Sequence, residues 1–569
     1  AMLARAQAAA APAKAVFDVA IAMRLGVVQP GSAYSQDDID QLAAEPAVRE
    51  AVDAVNPAHL PYLFPEVFLR ANPGFDALVG NPPWEKLHIE EHQWWGLRIP
   101  KLRSMPQKER IAALEAFRAS RPDLERAYQQ EIQTVAGINR AVATGPYPGL
   151  GSAHLDLYQA FAWRFWWLTR SNGRTAVVLP RGALSGSALQ GWRHDVISSG
   201  AFADVCFLTN KGGWVFPNVD GRYTVGLTVL EKAAESVVRF CGPFADEKEF
   251  VDNAPRLSDV PGDEFLSWSS TAAFPLIPDP TSAEVFLQMK KSPRFDETRP
   301  DWDFRPIQGD FNATADKAKF EFDIDEPKGR IPVLAGASFN LWDPDFGTPY
   351  AYGQPEVLRA ALAAKLARAT TNKRSAYFGL TFADGELPMD RARIAFRDIA
   401  RATDSRTTLA CLLPPGSVAV HNAPLLVCRR GGTKAEAFLL GVLSSIPFDW
   451  AARRWVELHL TFEVLAALPI PRYVEGNAWA RRVVELSGGL AAVDARYADW
   501  AAEVGVEAGT VASAGEREPM LAELDALVAL LYGLTRQQVE HVFATFHRGW
   551  GYRTRLDAVL QHFNEWEGR

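Results

Sequence analysis

Gly74-Phe75-Asp76-Ala77-Leu78-Val79-Gly80-Asn81-Pro82-Pro83-Trp84 is the stretch on which the fold turns. Phe75 to Val79 is an apolar run broken by one acid, the pattern of a short buried strand that stops at Gly80. Two consecutive prolines then fix φ and remove two N–H donors, so the backbone beyond the strand is a stiff loop outside any ladder. That loop holds the Asn81 amide, the Pro82 carbonyl and the Trp84 ring in one small space. Such a group can hydrogen-bond an exocyclic amine and stack on the ring that carries it. By itself the tetrapeptide also suits an ordinary turn after a strand.

Composition narrows the classes. The chain has 569 residues, 48% of them hydrophobic and 22% charged, as in a soluble globular protein. By length it should hold about two to four domains. A net charge of −8 excludes a globally basic nucleic-acid coat, so any DNA contact must come from local basic patches. Cys206, Cys241, Cys411 and Cys428 are scattered without ligand spacing. They read as reduced thiols of a cytoplasmic protein, with no metal site. No apolar stretch reaches the length of a membrane span. Ala1 ahead of Met2 suggests a residue left by tag removal, and hence a piece of a longer chain.

Outward from the opening stretch, 1–60 is expected to be a helical segment: an amphipathic helix over 13–28, then a helix over 39–55 begun by Ser35-Gln36-Asp37-Asp38. The region 61–240 alternates strand and helix, with a charged helical insertion at 90–150 that predicts two helices over 101–143, closed by a loop over 145–151. Expected after it are a helix over 155–169, a turn at Asn172-Gly173-Arg174, a strand over 175–179, a helix over 185–199, and strands over 203–208 and 223–230. That alternation is α/β. A Pro- and Asp-rich connector is expected over 241–300, a mixed α+β domain over 301–475, and a helical region over 476–569.

The order of these features resembles the second half of the catalytic domain of large adenine-N6 DNA methyltransferases of restriction-modification or phage-defence (type IIG, BREX or DISARM-like) type. Asn81-Pro82-Pro83-Trp84 is similar to that family's catalytic tetrapeptide. Asp156-Leu157-Tyr158-Gln159-Ala160-Phe161, Gly173 to Pro180, and Val215-Phe216-Pro217 before a strand are similar to the elements that follow it. Ile331 to Gly336, Ala392 to Arg401 followed by Thr403, Leu440 to Trp450 and Leu465 to Pro471 resemble the family's target-recognition domain. The resemblance implies the second half of a Rossmann-like class I methyltransferase sheet, followed by an α+β recognition domain and a helical C-terminal region. It implies sequence-specific methylation of double-stranded DNA with S-adenosylmethionine, in bacterial restriction-modification or phage defence, with other subunits of such a system as further partners. Asn81, Pro82, Pro83 and Trp84 carry the catalytic role, and Trp84 and Phe216 become the two walls of the base pocket.

One departure stands out. The family's Gly-rich cofactor turn should precede the tetrapeptide, and 1–74 offers only Pro30-Gly31-Ser32, without a preceding apolar strand. Either the chain starts beyond that turn or another chain supplies it, and Glu66 and Pro83 are the only cofactor contacts suggested. For DNA contact, Arg393, Arg397 and Arg401 would share one face if Asp390 to Arg406 were helical, although the acids among them equally suit intrahelical ion pairs. Lys373, Arg374, His421, Asn422, Arg453 and Arg454 complete the candidates, since Arg and Asn are the residue types that read guanine and adenine edges. RNA adenine or a protein glutamine amide would suit the same tetrapeptide. A non-catalytic DNA-recognition subunit is the alternative from a different class.

Overall fold

Alternating apolar residues build the first layer of the molecule. In a computed structural model, residues 2–31, 33–150, 155–221, 223–233, 235–322, 324, 327–401, 404–456, 458–511, 513–547 and 549–568 are described. Ser32, Thr403 and the end of the 145–151 loop, all named above, lie outside them. The chain divides into two units, Ala1–Phe274 and Pro275–Arg569.

In the first unit, β1 (Phe75–Gly80), β2 (Thr169–Pro180), β3 (Ala201–Thr209), β4 (Thr224–Glu231), β5 (Val237–Phe244) and β6 (Ser258–Pro261) form one sheet in the order β1-β2-β4-β3-β5-β6. β1 pairs parallel with β2, and β3 with β5, while β4 runs antiparallel between β2 and β3. The carboxyl ends of β1, β2 and β3 therefore lie along one edge, where β4 begins. Helices Leu157–Leu168 and Gln190–Ser199 make the crossovers. Phe202, Phe240, Phe265 and Phe274 fill the core without exposure. Their rings meet at 4.9 Å (Phe202–Phe274) and 4.6 Å (Phe265–Phe274). Each such burial stabilises by about 1.5–3 kcal/mol.

Several expectations are corrected here. β1 is an end strand, and Val79 is 86% exposed. One face carries Gly80 against Phe165, where an added Cβ would meet the ring at 3.2 Å, but the Val79 face is open. The turn at Asn172 lies inside β2: Asn172 takes φ 59° and the strand continues through it. The expected 241–300 connector instead holds the end of β5 and all of β6. Its alternation of Val238, Phe240 and Phe244 is interrupted in sequence by Gly242-Pro243, which masks the strand. Pro46 splits the 39–55 helix into Gln36–Ala44 and Pro46–Val55, the first opened by a Ser35/Asp38 capping box. The insertion forms helices Gln107–Ser120 and Pro122–Ala143, as expected, and Trp94, Trp95 and Tyr128 give it a small core of its own.

In the second unit, β7 (Asp303–Ile307), β8 (Ile331–Leu334), β9 (Ala351–Gly353), β10 (Arg393–Phe396), β11 (Ala410–Leu413), β12 (Val418–Ala419) and β13 (Leu425–Arg430) make two sheets, ordered β11-β10-β13-β7 and β12-β8-β9. The expected boundary at 475 is not a division of this unit: helix Ala478–Ala491 packs on Gly432–Ser444 at Gly441, beside Val483 and Ser487. Ala514–Leu531 and Arg553–Glu567 continue the helical layer.

Candidate functional site

The Asn81–Trp84 loop leaves the carboxyl end of β1 and is tied down just beyond Trp84. Leu157 donates its N–H to the Glu85 carbonyl at 2.9 Å, Leu87 donates to Leu155 at 2.8 Å, and Lys86 pairs with Asp156 as an antiparallel bridge. The residues that open helix Leu157–Leu168 thus clamp the loop from below. With no N–H at Pro82 or Pro83, the loop's own donors are few, and these neighbouring bonds fix its path. Pro82 is buried, Asn81 and Pro83 are exposed, and Trp84 is half-buried. The Trp84 indole N–H is buried with no hydrogen-bond partner among the described atoms. Tyr158, one residue past the clamp, is buried beside Gly182 at the carboxyl end of β2, and burial raises its phenol pKa.

Phe216 comes from the loop between β3 and β4, and the fold brings it to Trp84. Their ring centroids are 5.9 Å apart at 84°, an edge-to-face pair. Two residues far apart in sequence therefore meet at the one sheet edge where β1, β2 and β3 end. The crevice outside the carboxyl ends of strands is where open α/β sheets bind ligands. An edge-to-face pair leaves no slot between the rings, so a flat guest enters only when one ring turns. That rearrangement gives up about 0.5–1.5 kcal/mol. Stacking of a base returns about 1–3 kcal/mol per ring, enough to outweigh it. Asn210, absent from the expectations above, is fully buried under the Phe216 loop.

Among the described residues, Gly31, the expected place of an S-adenosylmethionine turn, does not fit that role. Gly31 follows helix Met2–Leu25 and no strand, and an added Cβ there would meet the Tyr34 hydroxyl at 2.7 Å. It packs against a side chain where a cofactor cradle needs open backbone N–H groups. Glu66 lies exposed on the one-turn helix Pro65–Phe68 that leads into β1. Among the described residues, no group of three or more His, Cys, Asp and Glu is placed to hold a metal ion.

The basic residues of the second unit divide sharply. The helix expected over Asp390 to Arg406 is interrupted, because Arg393–Phe396 is β10, buried at all four positions. Arg393 points inward to Asp310 through bonds of 2.8 and 3.0 Å and donates to the Ser417 carbonyl at 2.9 Å. Arg397 donates to the Gly336 and Phe339 carbonyls at 2.6 and 2.8 Å, and burial lowers its pKa. Arg453 is buried, donating to the Asp404 and Ser405 carbonyls with its guanidinium 4.0 Å from the Phe546 ring centroid. Arg454 is buried over Trp450 at 4.2 Å, and desolvation pushes its pKa down to about 9. Asn422 accepts from the Gly336 N–H and His421 from the Ala313 N–H. In this conformation Arg393, Arg453 and Arg454 are buried and, like Arg397, bond within the fold, whereas His421 and Asn422 are half-buried. Lys373, Arg374 and Arg401 remain exposed.

No protein-family model matches the sequence, and no curated protein does. Among solved structures, the chain is similar at 12% identity to the type IIL restriction-modification enzyme MmeI in complex with DNA, over 76% of this chain and 55% of that one, with a TM-score of 0.37. It is similar at 11% identity to the type IIG restriction endonuclease BpuSI, over 78% of this chain and 52% of that one, with a TM-score of 0.25. It is similar at 10% identity to the ATP-dependent type ISP restriction-modification enzyme LlaBIII bound to DNA, over 82% of this chain and 32% of that one, with a TM-score of 0.32. The chain thus spans about half the length of the first two, at 55% and 52%, and TM-scores of this size do not establish a shared overall fold.

Proposed function

We propose that this chain carries the base-handling half of a DNA adenine-N6 methyltransferase, together with the domain that selects the DNA, in restriction-modification or phage defence. The observation that supports this best is the meeting of Trp84 and Phe216, beside the exposed Asn81, at the carboxyl ends of β1 and β3. In this reading the target adenine leaves the duplex at a cost of a few kcal/mol. It turns one ring of the aromatic pair aside and stacks there. The Asn81 side-chain oxygen and the Pro82 carbonyl accept from the exocyclic amine. Those two acceptors draw the amine lone pair out of conjugation and aim it, so that catalysis rests on position and electrostatics with no covalent enzyme intermediate. Pro83 holds the turn between acceptor and ring. The methyl donor implied by the reading is S-adenosylmethionine. Double-stranded DNA is the partner, with Lys373, Arg374 and Arg401 as phosphate contacts.

Long-read sequencing of DNA from cells carrying the natural gene tests the assignment. A methyladenine motif should be present with the natural protein and vanish with Asn81→Ala, while the variant still binds duplex DNA. A methylation pattern unchanged by Asn81→Ala would remove the assignment.

A further inference from the structure

The Phe216 ring reaches Trp84 from a loop that runs from Asn210 to Tyr223, and one side chain accounts for the shape of that loop. Asn210 immediately follows β3 and is fully buried. Its Nδ2 donates to the carbonyls of Phe216 at 3.0 Å and Val219 at 2.8 Å. Its Oδ1 accepts from the N–H groups of Val215 at 3.2 Å and Phe216 at 2.9 Å. Its own backbone N–H donates to the Tyr223 carbonyl at 2.9 Å, closing the loop at its base. Both backbone groups of Phe216 are therefore held by one amide.

Only a side chain with donors and an acceptor on one planar group can do this at such short reach. A carboxylate in its place accepts but cannot donate, and faces two carbonyls. The local sequence gives the loop room for the sharp path: Gly212 and Gly213 both take φ 74°, with nothing within 4 Å of an added Cβ. The residues flanking Phe216 are sorted by the same clamp. Trp214 donates its indole N–H to the Thr209 carbonyl at 2.8 Å, and Trp214 and Val215 pack into the cluster of Cys206, Leu208, Cys241 and Phe244. With those two committed to the sheet side, Phe216 is presented to Trp84.

We infer that Asn210 is the positioning residue of this site, fixing the second aromatic wall against Trp84 through four side-chain bonds to the loop backbone. The clamp stands on geometry alone, and its consequence for base capture rests on the adenine reading above.

Fluorine NMR of the full chain labelled with 5-fluorotryptophan tests it. The Trp84 line, one of 17 in the sequence, is assigned by its loss in Trp84→Phe. Phe216→Ala should displace that line, because the ring at 5.9 Å is gone. Asn210→Ala should displace it by the same amount, leave the lines of the core residues Trp192 and Trp268 in place, and add nothing when combined with Phe216→Ala. Asn210→Asp, which loses both donor bonds and sets a carboxylate oxygen against the Phe216 and Val219 carbonyls, should displace the line as well and decides the matter if the alanine variant does not fold. A Trp84 line that stays put in Asn210→Ala or Asn210→Asp while moving in Phe216→Ala overturns the inference, as does one indifferent to Phe216→Ala. On DNA, Asn210→Ala should lower capture of the target base with duplex affinity unchanged. If the natural protein captures no base while the NMR result holds, the adenine reading fails and the clamp survives.

Discussion

Removing the Asp310 carboxylate separates a structural from a DNA-binding role for Arg393. The two side chains are 5% and 9% exposed and joined by bonds of 2.8 and 3.0 Å. Asp310 also accepts the Ala419 N–H at 2.9 Å, so it holds β12 as well as the guanidinium. Asp310→Ala leaves a buried cation without its carboxylate, held by the Ser417 carbonyl and the Tyr377 side chain, and losing one partner of a buried pair costs about 3–5 kcal/mol. With an m-value of about 3 kcal/mol/M in urea, the unfolding midpoint of the unit should fall by about 1–1.7 M. The double variant Asp310→Leu/Arg393→Met removes both charges and should recover most of that loss, because it leaves no unpaired charge. In a DNA-binding titration against salt, this double variant should keep the slope of the natural protein. A phosphate contact by Arg393 would instead reduce the slope by about one. A midpoint shift of Asp310→Ala below about 0.3 M, or a slope lowered by one in the folded double variant, would refute the structural role.

Three further outcomes are expected. Lys373→Ala, Arg374→Ala and Arg401→Ala should each lower the salt slope by about one and leave the urea midpoint unmoved; unchanged slopes would exclude phosphate contact. Burial pushes the Glu436 carboxyl up from 4.5 to about 7, with the Trp500 indole N–H opposing that rise and Glu503 reinforcing it. Because its folded pKa is raised, the folded state binds more protons than the unfolded between those values, so stability falls as pH rises through that window. Glu436→Gln should flatten this fall in urea unfolding series, and an unaltered pH dependence would rule Glu436 out as its source. Val79→Ser, on the open face of β1, should change stability by no more than about 0.5 kcal/mol, whereas a loss of several would mean that the face is packed.

The strand and loop from Phe75 to Trp84 were legible because strand termination by Gly and a double proline is a local signal. The partnership of Trp84 with Phe216 was legible only through the order of motifs, since 32 phenylalanines offer no other way to choose one. The shared helix face expected of Arg393, Arg397 and Arg401 does not form, because a spacing of four imitates a helix face while Arg393 lies in a strand. The flanking Ile394, Ala395 and Phe396 are all buried in β10, and the helical pattern does not ask for that. Arg453 and Arg454 are a different case: Asp449 and Trp450 stand four residues before them on the same helix, a spacing open to the sequence, whereas Phe546 reaches Arg453 only by packing between helices. Asn210 was invisible because an Asn after a strand is a common turn residue, and its four partners lie five to nine residues on, defined only when the loop has closed.

If Trp84 and Phe216 receive the target adenine, a photoreactive base in its place should crosslink to one of them. A duplex carrying the methylated motif, with 5-iodouracil in place of the target adenine, is bound to the protein together with whatever supplies the methyl donor and irradiated. The crosslinked peptide is then sequenced by mass spectrometry. The expected result is an adduct on Trp84 or Phe216 that disappears in the corresponding alanine variant. An adduct confined to other residues, with the same duplex bound at the same affinity, would contradict it.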